Sequence, residues 1–237
     1  GDTGPQPIGV RIGSHRTKTQ SRACCTDTPT PENQSNSAFR ERNRQKQRRC
    51  VFGRVQDRFV REGWGRRPCV HKRVELHQAL GELERARALV EEWRAIPRDR
   101  GSDCMACETS SMAELLADLG DVHAALREAR PILLGRLSCA TVPHSTFGNL
   151  LMPLIIAGEH KQARDLYERG RRLVAAMDEG GVLFAAPYLA GAAFFGETSH
   201  ARAILRSRLA QALGLQSDWD RMRWFGHAAV GLELLAA

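Results

Sequence analysis

Four stretches of this chain share one frame: ALGELERARAL (79–89), DLGDVHAALRE (118–128), IAGEHKQARDL (156–166) and FFGETSHARAI (194–204). Gly81, Gly120, Gly158 and Gly196 stand 39, 38 and 38 residues apart, each followed by an acidic residue: Glu82, Asp121, Glu159 or Glu197. Five positions after each glycine comes Ala86, Ala125, Ala163 or Ala201. A fixed period of this size is the mark of stacked helical units. Each part has a mechanical reason. The glycine follows an apolar segment such as MAELLADL and supplies the left-handed residue that ends a helix. The acidic residue suits the positive end of the helix that follows. The alanine faces the preceding helix and lets two backbones come close. Each unit therefore reads as a helix–turn–helix hairpin whose apolar face needs neighbours.

No segment alternates in the manner of a strand, so the fold class is all-α. The expected arrangement is a right-handed solenoid of about four hairpins with a closing C-terminal helix. First helices are expected near 68–79, 104–119, 143–157 and 182–195. Second helices follow near 82–96, 121–134, 159–176 and 197–213, and SDWDRMRWFGHAAVGLELLAA (217–237) makes a ninth, capped by Ser217 or Asp218. Pro97 stops the first hairpin, and Pro143 suits the first turn of a helix.

The frame resembles the tetratricopeptide repeat, whose units carry a glycine and then an alanine five residues later between antiparallel helices. The likeness covers about residues 67–237. The period is 38 rather than 34, and of the positions nine after the glycine only Tyr167 is aromatic. The middle of the chain is also similar to bacterial proteins of this group with D-C-x-x-C and G-R-L-x-C-x-x-V-P-H stretches. Those correspond here to Asp103–Cys107 and Gly135–His144, and no activity comes with the likeness. The repeat family implies a protein-binding role.

The first third is different. Residues 1–70 hold 15 Lys and Arg against 6 Asp and Glu, so the whole basic excess of the chain (+8) lies there, and they contain neither Leu nor Met. A segment without such residues cannot bury enough apolar surface to offset its ordering entropy. Residues 1–66 are expected to be a disordered extension, dispensable for folding of residues 67–237. Its arm RERNRQKQRRCVFGRVQDRF (40–59), with Phe52 and Phe59 to stack on bases, is a candidate nucleic-acid contact. The longest apolar run, VLFAAPYLAGAAFF (182–195), has 14 residues with Pro187 inside, short of the roughly 20 that span a bilayer. A soluble, cytoplasmic protein is the expectation.

Seven cysteines, an odd number, argue against a secreted disulfide framework. Cys104 and Cys107 precede their glycine by 16 and 13 residues, and Cys139 and His144 precede theirs by 19 and 14. Both pairs thus fall at the N-terminal ends of neighbouring first helices, which pack about 8–10 Å apart. Cys104, Cys107, Cys139 and His144 form a candidate Cys₃His site for one structural zinc. Buried inert thiols, and a redox Cys104–Cys107 pair, are the competing readings. Cys24, Cys25, Cys50 and Cys69 lack partners at metal-like spacing. His71 and His77 are expected at the surface of the first helix, and Trp219, Trp224 and Phe225 in packing.

The chain contains no G-x-S-x-G, phosphate loop, H-E-x-x-H or G-x-G-x-x-G, and it is expected to be non-catalytic. The leading functional expectation is a scaffold or adaptor that holds a peptide or helix of a protein partner on its concave face. Glu114, Asp118, Asn149 and Tyr188, on the first helices, are the candidate contacts. The alternatives are a nucleic-acid-associated protein working through residues 40–59, and a thiol–disulfide protein.

Overall fold

The computed structural model describes residues 53–177 and 181–236. The chain separates into two units, residues 1–58 and 59–237. Of the first unit only 53–58 are described, and they are helical. The rest of the basic arm with Phe52, and Cys24, Cys25 and Cys50, lie outside the described residues, as do residues 1–52 of the expected extension. The second unit opens with Phe59, whose ring meets that of Trp64 edge-on at 5.5 Å.

Nine named helices follow among the described residues: α1 (Arg67–Ala79), α2 (Leu83–Ala95), α3 (Met105–Asp118), α4 (Val122–Leu133), α5 (His144–Ile156), α6 (His160–Ala175), α7 (Val182–Phe194), α8 (Thr198–Leu213) and α9 (Asp218–Ala236). Among the described residues there is no strand. The fold is all-α, with helix limits within a residue or two of those read from the repeat.

The four repeat turns are near copies of one another. Gly81, Gly120, Gly158 and Gly196 have φ of +69°, +85°, +78° and +75°, where a Cβ would be strained. In each turn the N–H of the acidic residue returns to a carbonyl five positions back: Glu82 to His77 at 2.8 Å, Asp121 to Leu116 at 3.0 Å, Glu159 to Leu154 at 2.9 Å and Glu197 to Ala192 at 2.8 Å. This is the Schellman closure, which satisfies carbonyls left open at the helix end. The same acidic residue is then the N-cap of the next helix, and its carbonyl accepts from the N–H of the repeat alanine at 2.9–3.0 Å. Only at Asp121 does the side chain also cap, accepting from Ala124 N–H at 2.8 Å. Ala86, Ala125, Ala163 and Ala201 are fully buried. Ser217 caps α9, its hydroxyl accepting from Asp220 N–H at 3.2 Å. Pro143 is the N-cap of α5, one position ahead of the first turn.

Within the second unit, α1 packs on α2, α3 on α4, α5 on α6 and α7 on α8. First helices then pack on first helices: α3 on α5, α5 on α7, and α7 on α9, so the closing helix occupies the place of a fifth first helix. The largest core runs from Ala106 on α3 through Leu150, Leu151 and Tyr167 to Ala192 and Ala201. A separate core joins α1 and α2 to α3 through Val70, Val74, Trp93, Met112 and Leu115. Cys69, expected to be incidental, is buried on α1. Among the described residues no helix is long and apolar enough to cross a membrane.

Candidate functional site

Two places bring the sequence candidates together. The first is a cluster of thiols where the N-terminal ends of α3 and α5 meet. Cys104 is the N-cap of α3, and its sulfur accepts from Cys107 N–H at 3.3 Å. Cys139 lies in the bend between α4 and α5, held by its N–H to Val142 carbonyl at 3.0 Å. Its sulfur stands 3.4 Å from that of Cys107, with the Thr141 hydroxyl 3.6 Å from Cys139 and 3.9 Å from Cys107. Sulfurs of all three cysteines lie within 4.8 Å of one another. Cys104 is exposed and the other two are half-buried.

The environments of Cys107 and Cys139 differ. Burial, reinforced by the thiols of Cys104 and Cys139, pushes Cys107 up to about 12. At Cys139 burial also acts upward, but hydrogen bonds from the Thr141 hydroxyl, the Thr141 and Val142 amides and the Cys107 thiol outweigh it and bring it down to about 7. Of the two, Cys139 is the readier to ionise and Cys107 the more firmly protonated.

His144, expected as the fourth ligand, is not in this group. It is the first residue of α5, past the bend that carries Cys139 back to α3, and on the helix it faces α7. Its ring meets Phe184 edge-on at 4.8 Å, and its carbonyl accepts from the Tyr188 hydroxyl at 2.8 Å. The cysteines converge because the Ser138–Val142 bend returns toward α3; the histidine, five residues on, belongs to the next joint.

The second place is the face formed by the first helices. Gln78 on α1 donates to Asp118 on α3 at 2.7 Å. Asn149 on α5 donates to Glu114 on α3 at 2.6 Å. Arg223 on α9 donates to Glu114 at 3.1 Å and to Asn149 Oδ1 at 3.0 Å. Three of the four expected contacts, Glu114, Asp118 and Asn149, thus share one polar face across α1, α3, α5 and α9. Tyr188 does not. It is 1% exposed, because α7 is apolar nearly all round and this ring turns toward α6, over Gly170.

Burial raises Glu114 to about 6, helped by Asp118 and Glu75 and opposed by Arg223 and Asn149. Burial also raises Asp118, opposed by Gln78 and Arg223. His227, one turn beyond Arg223, is lowered to about 4 by burial and then by the Arg223 charge.

Beside this network, α5, α7 and α9 enclose a cleft of about 170 Å³. Asn149, Arg223 and His227 line one side, and Leu183, Phe184 and Pro187 another. His144 Nε2 and Trp224 Nε1 are buried there without hydrogen-bond partners. Trp219, expected to be packed, is 40% exposed and lies under the Arg223 guanidinium, 5.9 Å from its ring centre.

Arg223, His227 and Gln78 were not found from the sequence. Glu75 and Glu114 each stand six residues before their glycine, and Asn149 stands nine before its own. These offsets, three apart, trace a polar stripe down the first helices. The α9 helix has no closing glycine to set its register, so Arg223 carries no such signal.

His71 also departs from expectation. It is 1% exposed, stacked on Trp93 at 4.2 Å, with Glu75 and Asp103 oxygens 3.2 and 3.1 Å from its two ring nitrogens. Burial lowers its pKa, Lys72 adds to this, and the nearby carboxylates oppose it. Lys72 bridges both carboxylates at 2.8 and 3.3 Å, which makes the group an ion-pair cluster around a stacked ring.

Comparison with family models, with curated proteins and with solved structures finds no match to this chain.

Proposed function

We propose that this chain is a non-catalytic, tetratricopeptide-like binding protein of the cytoplasm, whose hairpins stack as a right-handed solenoid and whose first-helix face holds a peptide segment of a partner protein. The observation that carries the reading is the cleft between α5, α7 and α9. It combines an apolar wall, with Leu183 46% exposed, with the Asn149 amide and Arg223 guanidinium at its rim. His144 and Trp224 also line it. An extended array of helices offers such a surface along its length. The occupant chemistry is one apolar side chain beside an acidic or amide group, the latter suited to Arg223 and Asn149.

The test is selection of random peptides displayed on phage against the full chain, followed by fluorescence polarisation on the enriched sequences. Asn149→Ala and Arg223→Ala are each expected to weaken binding about tenfold or more, the scale of a central contact. Arg172→Ala, exposed on α6, should leave it unchanged. Failure to enrich any peptide, or binding indifferent to both substitutions, overturns the reading. A salt-sensitive gel shift abolished by deleting residues 40–59, without peptide binding, would instead favour the nucleic-acid role.

A further inference from the structure

We infer that Cys104, Cys107 and Cys139 form a three-thiolate zinc site that joins the N-terminal ends of α3 and α5 and leaves its fourth coordination position open to solvent. The site is separate from the peptide cleft and does not rest on it. Three observations carry the inference. The sulfurs come from two segments of the chain and converge on one point, at 3.4 Å for Cys107 and Cys139 and within 4.8 Å for the whole set. Tetrahedral zinc with Zn–S bonds of about 2.3 Å needs sulfurs about 3.8 Å apart, inside that range. A disulfide would use two of the three and leave the third idle.

Hydrogen-bond donors stand beside the sulfurs. Cys104 Sγ takes the Cys107 amide at the start of α3, where the helix N-terminus favours negative charge. The Thr141 hydroxyl lies against both Cys107 and Cys139, in the place of an outer hydrogen-bond partner that orients metal ligands. The ligand count also follows from geometry. His144 points to Phe184 and the neighbouring cleft, so it does not close the shell, while Cys104 is exposed. Water fills the fourth position, or a side chain offered from outside does. Zinc held this way ties two consecutive hairpins together through their loops.

The experiment uses the full chain, expressed with zinc and purified under reducing conditions. Elemental analysis should return one zinc per chain. Cobalt substitution should give thiolate-to-cobalt charge-transfer bands with tetrahedral ligand-field bands, and these should shift when imidazole is added, reporting the open position. Cys104→Ser, Cys107→Ser and Cys139→Ser should each lose most of the metal while circular dichroism stays helical. Cys69→Ser and His144→Gln should keep it. Metal lost in His144→Gln, or a cobalt spectrum indifferent to imidazole, overturns the open site in favour of a closed Cys₃His set. A metal-free protein in which Cys104, Cys107 and Cys139 are all free thiols, or a Cys107–Cys139 disulfide in non-reducing peptide maps, overturns the zinc site altogether.

Discussion

The joint between α1 and α3 and the joints among α5, α7 and α9 solve one problem, first helix against first helix, in opposite ways. At the former, long charged side chains reach across. Glu108, with its side chain 8% exposed, accepts from Arg67 Nε at 3.1 Å and Nη2 at 2.7 Å, and pairs with Arg98 as well. Arg67 also donates to the Trp93 and Ile96 carbonyls at the end of α2 and lies over the Trp93 ring. Gln78 to Asp118 and Ser111 to Glu75 complete the crossing. At the later joints, apart from the Arg223–Asn149 contact, side chains are removed instead. Gly148 meets Pro187 and Tyr188, a Cβ at Gly191 would stand 2.7 Å from Leu151, and one at Gly231 would overlap Leu189. The two regions also have separate cores. A charged joint depends on every partner being present. An apolar joint depends on what is absent, so the two should fail differently.

The largest effect is expected at Glu108. Glu108→Ala leaves the Arg67 guanidinium buried without its carboxylate, and breaking a buried pair costs about 3–5 kcal/mol. The damage should be local. Amides of α1 and α2 should lose hydrogen-exchange protection while those of α5 to α9 keep theirs. Uniform loss along the whole second unit would mean that the joint is not a seam and that the comparison of two regions fails.

Gly170→Ala is expected to act on the other region, at a smaller cost. Its Cβ would overlap the Tyr188 ring and hydroxyl, and that hydroxyl is pinned to the His144 carbonyl at 2.8 Å. Overpacking of this kind costs about 1–3 kcal/mol, against a gain of roughly 1 kcal/mol from replacing a helical glycine. Gly226→Ala on α9 is the control: no atom lies within 4 Å of its Cβ position, and it should stabilise. Urea melts of the two variants separate packing from propensity. If both stabilise, the α6–α7 contact is looser than its geometry implies.

What was legible in the sequence follows the range of the interactions. The repeat turns depend on residues within six positions of one another, so Gly120, Asp121 and Ala125 announced a Schellman end, an N-cap and a packed face without any knowledge of neighbours. Convergence of the cysteines was legible because position relative to the glycine places a residue along its helix. The direction of a side chain around the helix was harder. His144 and Cys139 share an end of the unit, yet they face α7 and α3 because a bend separates them. Tyr188 was expected as a contact because it lies on a first helix; Gly170, on another helix, supplies the space that buries it. His71 looked like a surface histidine on a short helix, and Trp93, 22 residues away, made it a stacked core ring. Arg223 depends on Glu114, more than a hundred residues distant, and no local pattern encodes such a pair.

The smallest expected effect has the opposite sign to the first and concerns a carboxylate that resembles Glu108 at first sight. Glu114 also touches an arginine, but it shares Arg223 with Asn149 and looks toward Asp118 and Glu75. Its pKa is raised from 4.5 to about 6, by burial first, so the folded chain holds this proton more tightly than the unfolded one. Folding is then favoured by protonation, and stability falls as pH rises from about 4.5 through 6, the unfolded state releasing its proton first. Above that window the ionised carboxylate opposes folding, by no more than about 2 kcal/mol at 1.36 kcal/mol per pKa unit. Glu114→Gln should therefore stabilise the protein at pH 7.5 and be nearly neutral at about pH 4, below both the folded and the unfolded values. Paired urea melts at the two pH values decide it. Destabilisation at pH 7.5 would show that the Arg223 ion pair outweighs burial, and the first-helix face would then be held by charge in the manner of the α1–α3 joint.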